Sequence, residues 1–230
     1  MSVAQAHKAE SGAPVSVEAY CRLATALDLR LDLAITDPRQ RVRAASETDI
    51  VHSYMGEIEA ARLLSFGRHV GIDEPYQHYQ FAGRADVVAW DAPAQALLHI
   101  ENRTRFPSIQ EAAGAWNAKR SYLADEMRAK AGVSAWRSVT HVMACLWSAE
   151  VLHVLRLRTS TFRALCPDPP DPFSTWWMGA LPASGTHSVL VVLDPLAVGR
   201  QRPVIGLDQA LDAAPRHRGY ADVASQLTRR

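Results

Sequence analysis

The sequence predicts an α/β protein of the α+β kind, a mixed sheet flanked by helices with elements in the order α-β-β-β-α-β. Three observations predict it. Residues 48–66 and 109–130 carry apolar side chains at helical spacing. Between them lie short runs rich in β-branched and aromatic residues, separated by turn residues. After the second helix comes the stretch 139–147, VTHVMACLW, an apolar run of strand length bounded by polar residues.

A chain of 230 residues is long enough for a real core and suits one domain with appendages. With 48% hydrophobic and 21% charged residues it has the make-up of an ordinary globular protein. The formal net charge of +1 gives no global basic field, so any nucleic-acid surface must be local. Cys21, Cys145 and Cys166 are odd in number and far apart. They fit neither a disulfide framework nor a zinc knuckle, and they suggest a reducing compartment. The chain has no apolar run approaching ~18–20 residues and no signal-peptide core, so a cytoplasmic protein with no membrane partner is expected.

Residues 1–13 are polar and aperiodic. Ser16 is placed to cap a helix carrying Val17, Cys21, Ala24 and Leu27, and residues 29–33 alternate like a short strand. Arg39, Arg41 and Arg43 follow Pro38 in a linker. The helix over 48–66 presents Ile50, Val51, Tyr54, Met55, Ile58, Ala61 and Leu63 or Leu64 as its apolar stripe, and Gly67 stops it. Residues 76–81 read as a strand and Gly83 as a turn. Two further strands, 85–90 and 96–100, are joined by Asp91-Ala92-Pro93-Ala94, where Pro fixes its φ and Asp can bond its own backbone.

Ser108 and Glu111 form a capping box for the helix over 109–130, whose stripe is Ile109, Ala112, Ala113, Trp116, Leu123 and Met127. Ser148 caps a helix running to Leu165, with Arg156, Arg158 and Arg163 off its apolar side. The Pro-rich stretch 166–172 breaks it. Trp176 and Trp177 read as a lid on the core, or as a surface for bases or a partner. Residues 188–193 read as a buried strand, and the tail from Gly199 holds at most a short helix near 220–227.

The candidate chemistry lies on the central hairpin. Asp86 opens one strand and Glu101 ends the next, so a hairpin can bring both carboxylates together. Two such acids are what Mg²⁺ takes from a protein, with water and phosphate filling its other positions. The structural alternative is that Asp86 or Glu101 pairs with Arg84, Arg103 or Arg105. Glu57, with Glu59 behind it, is a further acid on the preceding helix. Read alone, Glu57 is an exposed helix acid that pairs with Arg62 or Arg68.

This layout resembles the PD-(D/E)XK nuclease core, in which Asp begins one strand and Glu-x-Lys ends the next. Asp86 and Glu101 match the acids, Arg103 stands where the family has Lys, and Glu57 is the best-placed residue for the further acid that the family's first core helix often lends to the metal site. Arg cannot exchange protons as Lys does. The stretch 12–33 resembles the closing part of an XRE-type helix-turn-helix domain, with a simple amphipathic helix as the alternative. Taken together, Asp86, Ala89, Trp90 and Asp91 on one strand, Glu101, Thr104 and Arg105 on the next, and Lys119 on the following helix resemble actinobacterial XRE-type regulators with a nuclease-like domain.

That resemblance implies a truncated helix-turn-helix over 1–36, a PD-(D/E)XK-like core over 37–166, and an extension over 167–230 packed on the core. It implies DNA as partner and a regulatory or accessory role on a degenerate nuclease fold. The alternative is an active Mg²⁺-dependent nuclease, with Asp86 and Glu101 holding the metal and Lys119 as the positioning cation. In a dead site, Arg103 is expected to take the ion's place as a fixed cation.

Overall fold

The computed structural model describes residues 7–8, 15–27, 49–78, 81–197 and 204–229. The chain divides into two compact units, residues 1–45 and 46–230. In the first, helix α1 (Val17–Ala26) starts at Ser16, whose hydroxyl accepts the Ala19 N–H at 3.3 Å. Glu18 and Arg22 pair along it at 2.6 Å. The expected strand over 29–33, the Arg39–Arg43 linker and both ends of the 12–33 stretch lie outside the described residues.

The second unit is a mixed six-stranded sheet flanked by helices. Its elements follow as α2 (Ile50–Leu64), β1 (His69–His78), β2 (Phe81–Asp91), β3 (Ala96–Arg103), α3 (Ile109–Ala131) and β4 (Ser138–Leu146). Then come α4 (Ala149–Leu157), α5 (Thr159–Leu165), α6 (Asp171–Trp177), β5 (Gly185–Leu193), β6 (Val204–Gly206), α7 (Leu207–Asp212) and α8 (Tyr220–Thr228). Strand order in the sheet is β1-β2-β3-β4-β5-β6. The β1–β2, β2–β3 and β5–β6 pairs are antiparallel, and β3–β4 and β4–β5 are parallel. Each parallel step needs a crossover, supplied by α3 and then by α4–α6. Residues beyond 167 thus add two strands to the same sheet.

β4 lies between two parallel neighbours, and all nine of its residues are buried, which is why it reads as a continuous apolar run. α2 buries the i, i+4 row Val51, Met55, Glu59 and Leu63. α3 buries Trp116, Lys119, Leu123 and Met127. The capping box on α3 is half present: Ser108 Oγ accepts the Glu111 N–H at 3.2 Å. In the β2–β3 turn, Asp91 Oδ1 accepts the Ala94 N–H at 2.9 Å. Cys21, Cys145 and Cys166 are free thiols. Among the described residues no helix is long and apolar enough to cross a membrane.

Four sequence expectations need correction. Gly83 is not a turn but an interior residue of β2, paired with Tyr76. A Cβ there would meet the Tyr76 ring at 2.9–3.1 Å, so glycine is required by close approach. The strand expected over 76–81 straddles two: β1 runs from His69 to His78 and β2 begins at Phe81, and β1 tolerates Pro75 because it is an edge strand.

The helix expected from Ser148 to Leu165 is two helices. Arg158 leaves helical geometry (φ −124°, ψ 31°), and Thr159 Oγ1 donates to the carbonyls of Leu155 and Arg156 at 3.0 Å, taking acceptors that the helix would use. The tail holds β6 and α7 as well as the helix at its end. Trp176 is fully buried under the Arg68 guanidinium, and Trp177 is half-buried against Phe173.

Gly83→Ala should therefore destabilise the protein by about 1–3 kcal/mol, the usual cost of overpacking. Chemical denaturation would show it, and an unchanged midpoint would mean that the Tyr76 ring swings away freely.

Candidate functional site

The site lies where β2 and β3 separate, and its first component comes from α2. The row Val51, Met55, Glu59, Leu63 places a carboxylate against the sheet. Glu59 is wholly buried, and its Oε2 accepts from Asn102 Nδ2 at 2.9 Å. Glu59 Oε1 and Asn102 Oδ1 have no protein partner. Burial drives the Glu59 carboxyl up to about 8, and the charge of Asp86 adds to it, so the group is protonated at neutral pH.

Asp86 forms the second component. The β2–β3 ladder ends at Val87↔Ile100, and beyond it the Asp86 side chain takes over the bonding. Its Oδ2 accepts the Asn102 backbone N–H at 2.7 Å and lies 3.0 Å from His52 Nε2. Burial pushes the His52 imidazole down, but the hydrogen bond and charge of Asp86, with the charges of Asp49 and Glu101, outweigh it and raise it above 6.5. Asp49 caps α2, accepting the His52 N–H at 2.8 Å, and its second oxygen accepts from the Thr104 hydroxyl at 3.1 Å.

Glu101 forms the third. Neighbouring residues on a strand point to opposite faces. Asn102 turns to Glu59 on α2, and Glu101 turns to α3, where Lys119 Nζ donates to Oε2. Arg103 Nη2 lies 2.8 Å from Oε1, and His99 Nε2 lies 3.4 Å from Oε2. The burial of Glu101 alone would raise its carboxyl, but the His99 imidazole and the charges of Lys119 and Arg103 hold it well below the usual carboxylate range. Behind it, His99 and His141 meet Nδ1 to Nδ1 at 3.1 Å, so one ring donates and the other accepts. Burial, then the charge of His99, pushes His141 well below 6.5.

A cleft of about 690 Å³ opens beside these groups, walled by Asp49, His52, Arg103, Arg105, Phe106 and Glu150. A smaller hollow of about 220 Å³ adjoins it and shares His52 and Asn102 with it; its acidic wall is Glu57, Asp73 and Asp86. Asp73 has φ +52°, rare outside glycine, and lies on β1 between residues paired with either side of Asp86. Arg105 rests its guanidinium 4.3 Å from the Tyr220 ring centre. Burial, then a hydrogen bond to Asp49, pushes the Tyr220 phenol above its ordinary value.

The structure places Asp86 and Glu101 on adjacent strands, yet binds them into different networks: Asp86 to His52 on α2, Glu101 to Lys119 on α3. Lys119 is on the buried side of α3, 7% exposed, so it is closed to a phosphate. Arg103 sits on Glu101 beside it. Glu57 is exposed at the wall of the acidic hollow, and the buried acid that α2 lends to this region is Glu59. Its position on the i, i+4 row with Val51, Met55 and Leu63 was legible in the sequence. His52 and Asn102 carry no comparable signal, because their roles arise only from the β2–β3 separation, and Thr104 stands out only as part of the run Glu101-x-x-Thr104-Arg105.

An ion held between Asp86 and Glu101 does not fit this arrangement, since both Glu101 oxygens are engaged by cations. Among the described residues no three His, Cys, Asp or Glu side chains converge to hold a metal. The Glu59–Asp86–Asn102 set offers two acids and an amide, one of the acids neutral at pH 7.

Glu59 sets a pH dependence. Unfolded, it ionises near 4.5; folded, near 8. Between these values the folded chain binds a proton that the unfolded chain has released, so stability falls as pH rises from about 4.5 to about 8, then levels. Glu59→Gln mimics the protonated acid. Its unfolding free energy should lose that slope, and at pH 9 the variant should be more stable than wild type by more than about 1.4 kcal/mol, a tenfold change in the folding constant. Parallel pH profiles for the two proteins would rule the account out. Neither a scan against protein-family models nor a search of curated proteins returns a match to this sequence.

Proposed function

We propose that this protein is a DNA-associated regulatory or accessory protein built on a nuclease-like core of the PD-(D/E)XK kind, in which the hydrolytic site does not operate. One observation carries the reading: each oxygen of Glu101 already has a cation on it, Arg103 on Oε1 and Lys119 on Oε2. Metal-assisted hydrolysis needs carboxylate oxygens free to hold an ion, and a cation free to meet the phosphate. Here the acid and the cation neutralise each other in the interior. Support for the nuclease-like core comes from the order of α2, three strands, α3 and β4, with Asp86 and Glu101 on neighbouring strands. Support for a DNA partner comes from the cleft, where Arg103, Arg105 and a His52 raised above 6.5 stand together.

The test is binding and cleavage measured together. The chain is incubated with plasmid, duplex and single-stranded DNA in Mg²⁺ or Mn²⁺, and affinity is recorded at stated salt. Expected is salt-sensitive binding with little preference among unrelated sequences and no cleavage. Metal-dependent cleavage that vanishes in Asp86→Asn at unchanged melting temperature would establish the active-nuclease alternative instead. Tight selection of one sequence would place the DNA-reading element elsewhere than assumed.

A further inference from the structure

Three hollows along one end of the sheet share walls. The acidic one of about 220 Å³ and the central cleft of about 690 Å³ have His52 and Asn102 in common. The central cleft shares Phe106, Pro107 and Val154 with a third hollow of about 460 Å³. Together they make a row of adjoining hollows, a trough whose character changes from one end to the other. At one end stand Glu57, Asp73 and Asp86, of which Asp73 pairs with Arg84 at 2.6 Å and Asp86 with His52 at 3.0 Å. In the middle are Arg103, Arg105 and His52, and at the far end Arg158 stands over an apolar shelf of Phe106, Pro107, Val154 and Leu157.

Three helix N-termini point at the two larger hollows. Asp49 and His52 at the start of α2, and Glu150 and Val151 at the start of α4, wall the central cleft. Ser108 and Ile109, at the start of α3, wall the third hollow. Helix starts carry partial positive charge, and each of these three gives one N–H to its cap: His52 to Asp49, Glu111 to Ser108 and Val151 to Ser148. The two acids in the central cleft turn oxygens to neighbouring neutral donors and keep their charge. Asp49 accepts from the His52 amide, the Thr104 hydroxyl and the Tyr220 phenol. Glu150 accepts the Tyr220 N–H at 3.3 Å. Arg105 and Arg158 are exposed, and among the described residues neither has a carboxylate partner.

We propose that this trough binds single-stranded nucleic acid, its phosphates on Arg105, Arg158 and the helix starts, and its bases on the Phe106–Leu157 shelf. The choice of a single strand follows from the shelf. Leu157 is 66% exposed beside Arg158, and an apolar ledge next to cations matches the exposed base faces of a lone strand. A duplex keeps those faces stacked inside and presents only phosphate. The acidic hollow bounds the path, so the strand runs from the His52 end toward Arg158 and stops short of Asp73. The inference rests on the DNA-associated reading above and assigns its partner and site.

Fluorescence anisotropy on the full chain tests it, with an oligothymidylate and a duplex of equal length as probes over about 50–200 mM salt. Expected is tighter binding of the single strand. The Arg105→Ala/Arg158→Ala double variant should lose about tenfold in affinity, and its slope of log affinity against log salt should shrink by about 1.4, about 0.7 for each phosphate contact removed. Leu157→Glu should weaken single-strand binding at unchanged melting temperature, which separates loss of the shelf from misfolding. Variants that bind the single strand like wild type, or a duplex bound equally tightly, would overturn the trough assignment while leaving the DNA-associated reading in place. No binding of either probe would overturn both.

Discussion

The rest of the structure is built around Glu101, a carboxylate held in the middle of a sheet. An unpaired charge at such depth costs several kcal/mol, so the position is tenable only with compensating partners. Lys119 reaches it from α3, Arg103 from two residues along its own strand, and His99 from two residues back. Behind it, His99 continues the chain of polar contacts to His141 on β4, and the Trp116 ring stacks on His99 at 5.8 Å between centres. α3 is therefore fixed to the sheet by an ion cluster as well as by Leu123 and Met127. Removing one partner from such a cluster typically costs about 3–5 kcal/mol, because the others stay buried and uncompensated.

This arrangement decides what Asp86 can do. With Glu101 committed to α3, the second acid of the hairpin answers to α2, where His52 and the Asn102 amide share one of its oxygens. The two carboxylates that a hairpin could have joined belong to opposite sides of the sheet. Glu59 then occupies the α2 side as a neutral acid, bonded to Asn102, the residue whose backbone Asp86 holds. The cleft beside it is walled by charges of both signs, Asp49 and Glu150 with His52, Arg103 and Arg105, of which Arg103 pairs with Glu101 and His52 with Asp86.

How far this was legible in the sequence depends on the range of the signal. α2, α3, β3 and β4 were readable because each is governed by its own periodicity and caps: Ser108 before α3, Asp91 in the β2–β3 turn, the apolar run of β4. The mixed sheet flanked by helices followed from their order. Gly83 and Arg158 were misread because their conformations are set by what lies beside them, the Tyr76 ring in one case and the Thr159 hydroxyl in the other. At the site, sequence spacing could bring Asp86 and Glu101 to adjacent strands but could not tell which face each would use. Whether an acid at a strand end meets a metal or a lysine depends on the helix across from it. Lys119 was flagged as a cation that could reach the site, and its burial on Glu101 is a tertiary fact.

The C-terminal segment shows how distant parts of the chain shape the cleft. Asp194, at the end of β5, is bonded by His217 at 2.9 Å and by Arg216 at 3.1 Å, and these bonds outweigh its burial and hold its carboxyl below the ordinary range. Arg216 lies over the Trp147 ring, whose Nε1 donates to the Ala214 carbonyl at 3.0 Å. The chain from 214 to 217 is thus clamped to the ends of β4 and β5. That clamp delivers Tyr220 to the start of α2, where it bonds Asp49 and underlies Arg105. The Arg105 guanidinium in the cleft wall is therefore oriented by a ring that the segment beyond residue 167 supplies. A core ending at β4 would keep Arg105 but lose the ring that aims it, which makes the extension part of the cleft's construction.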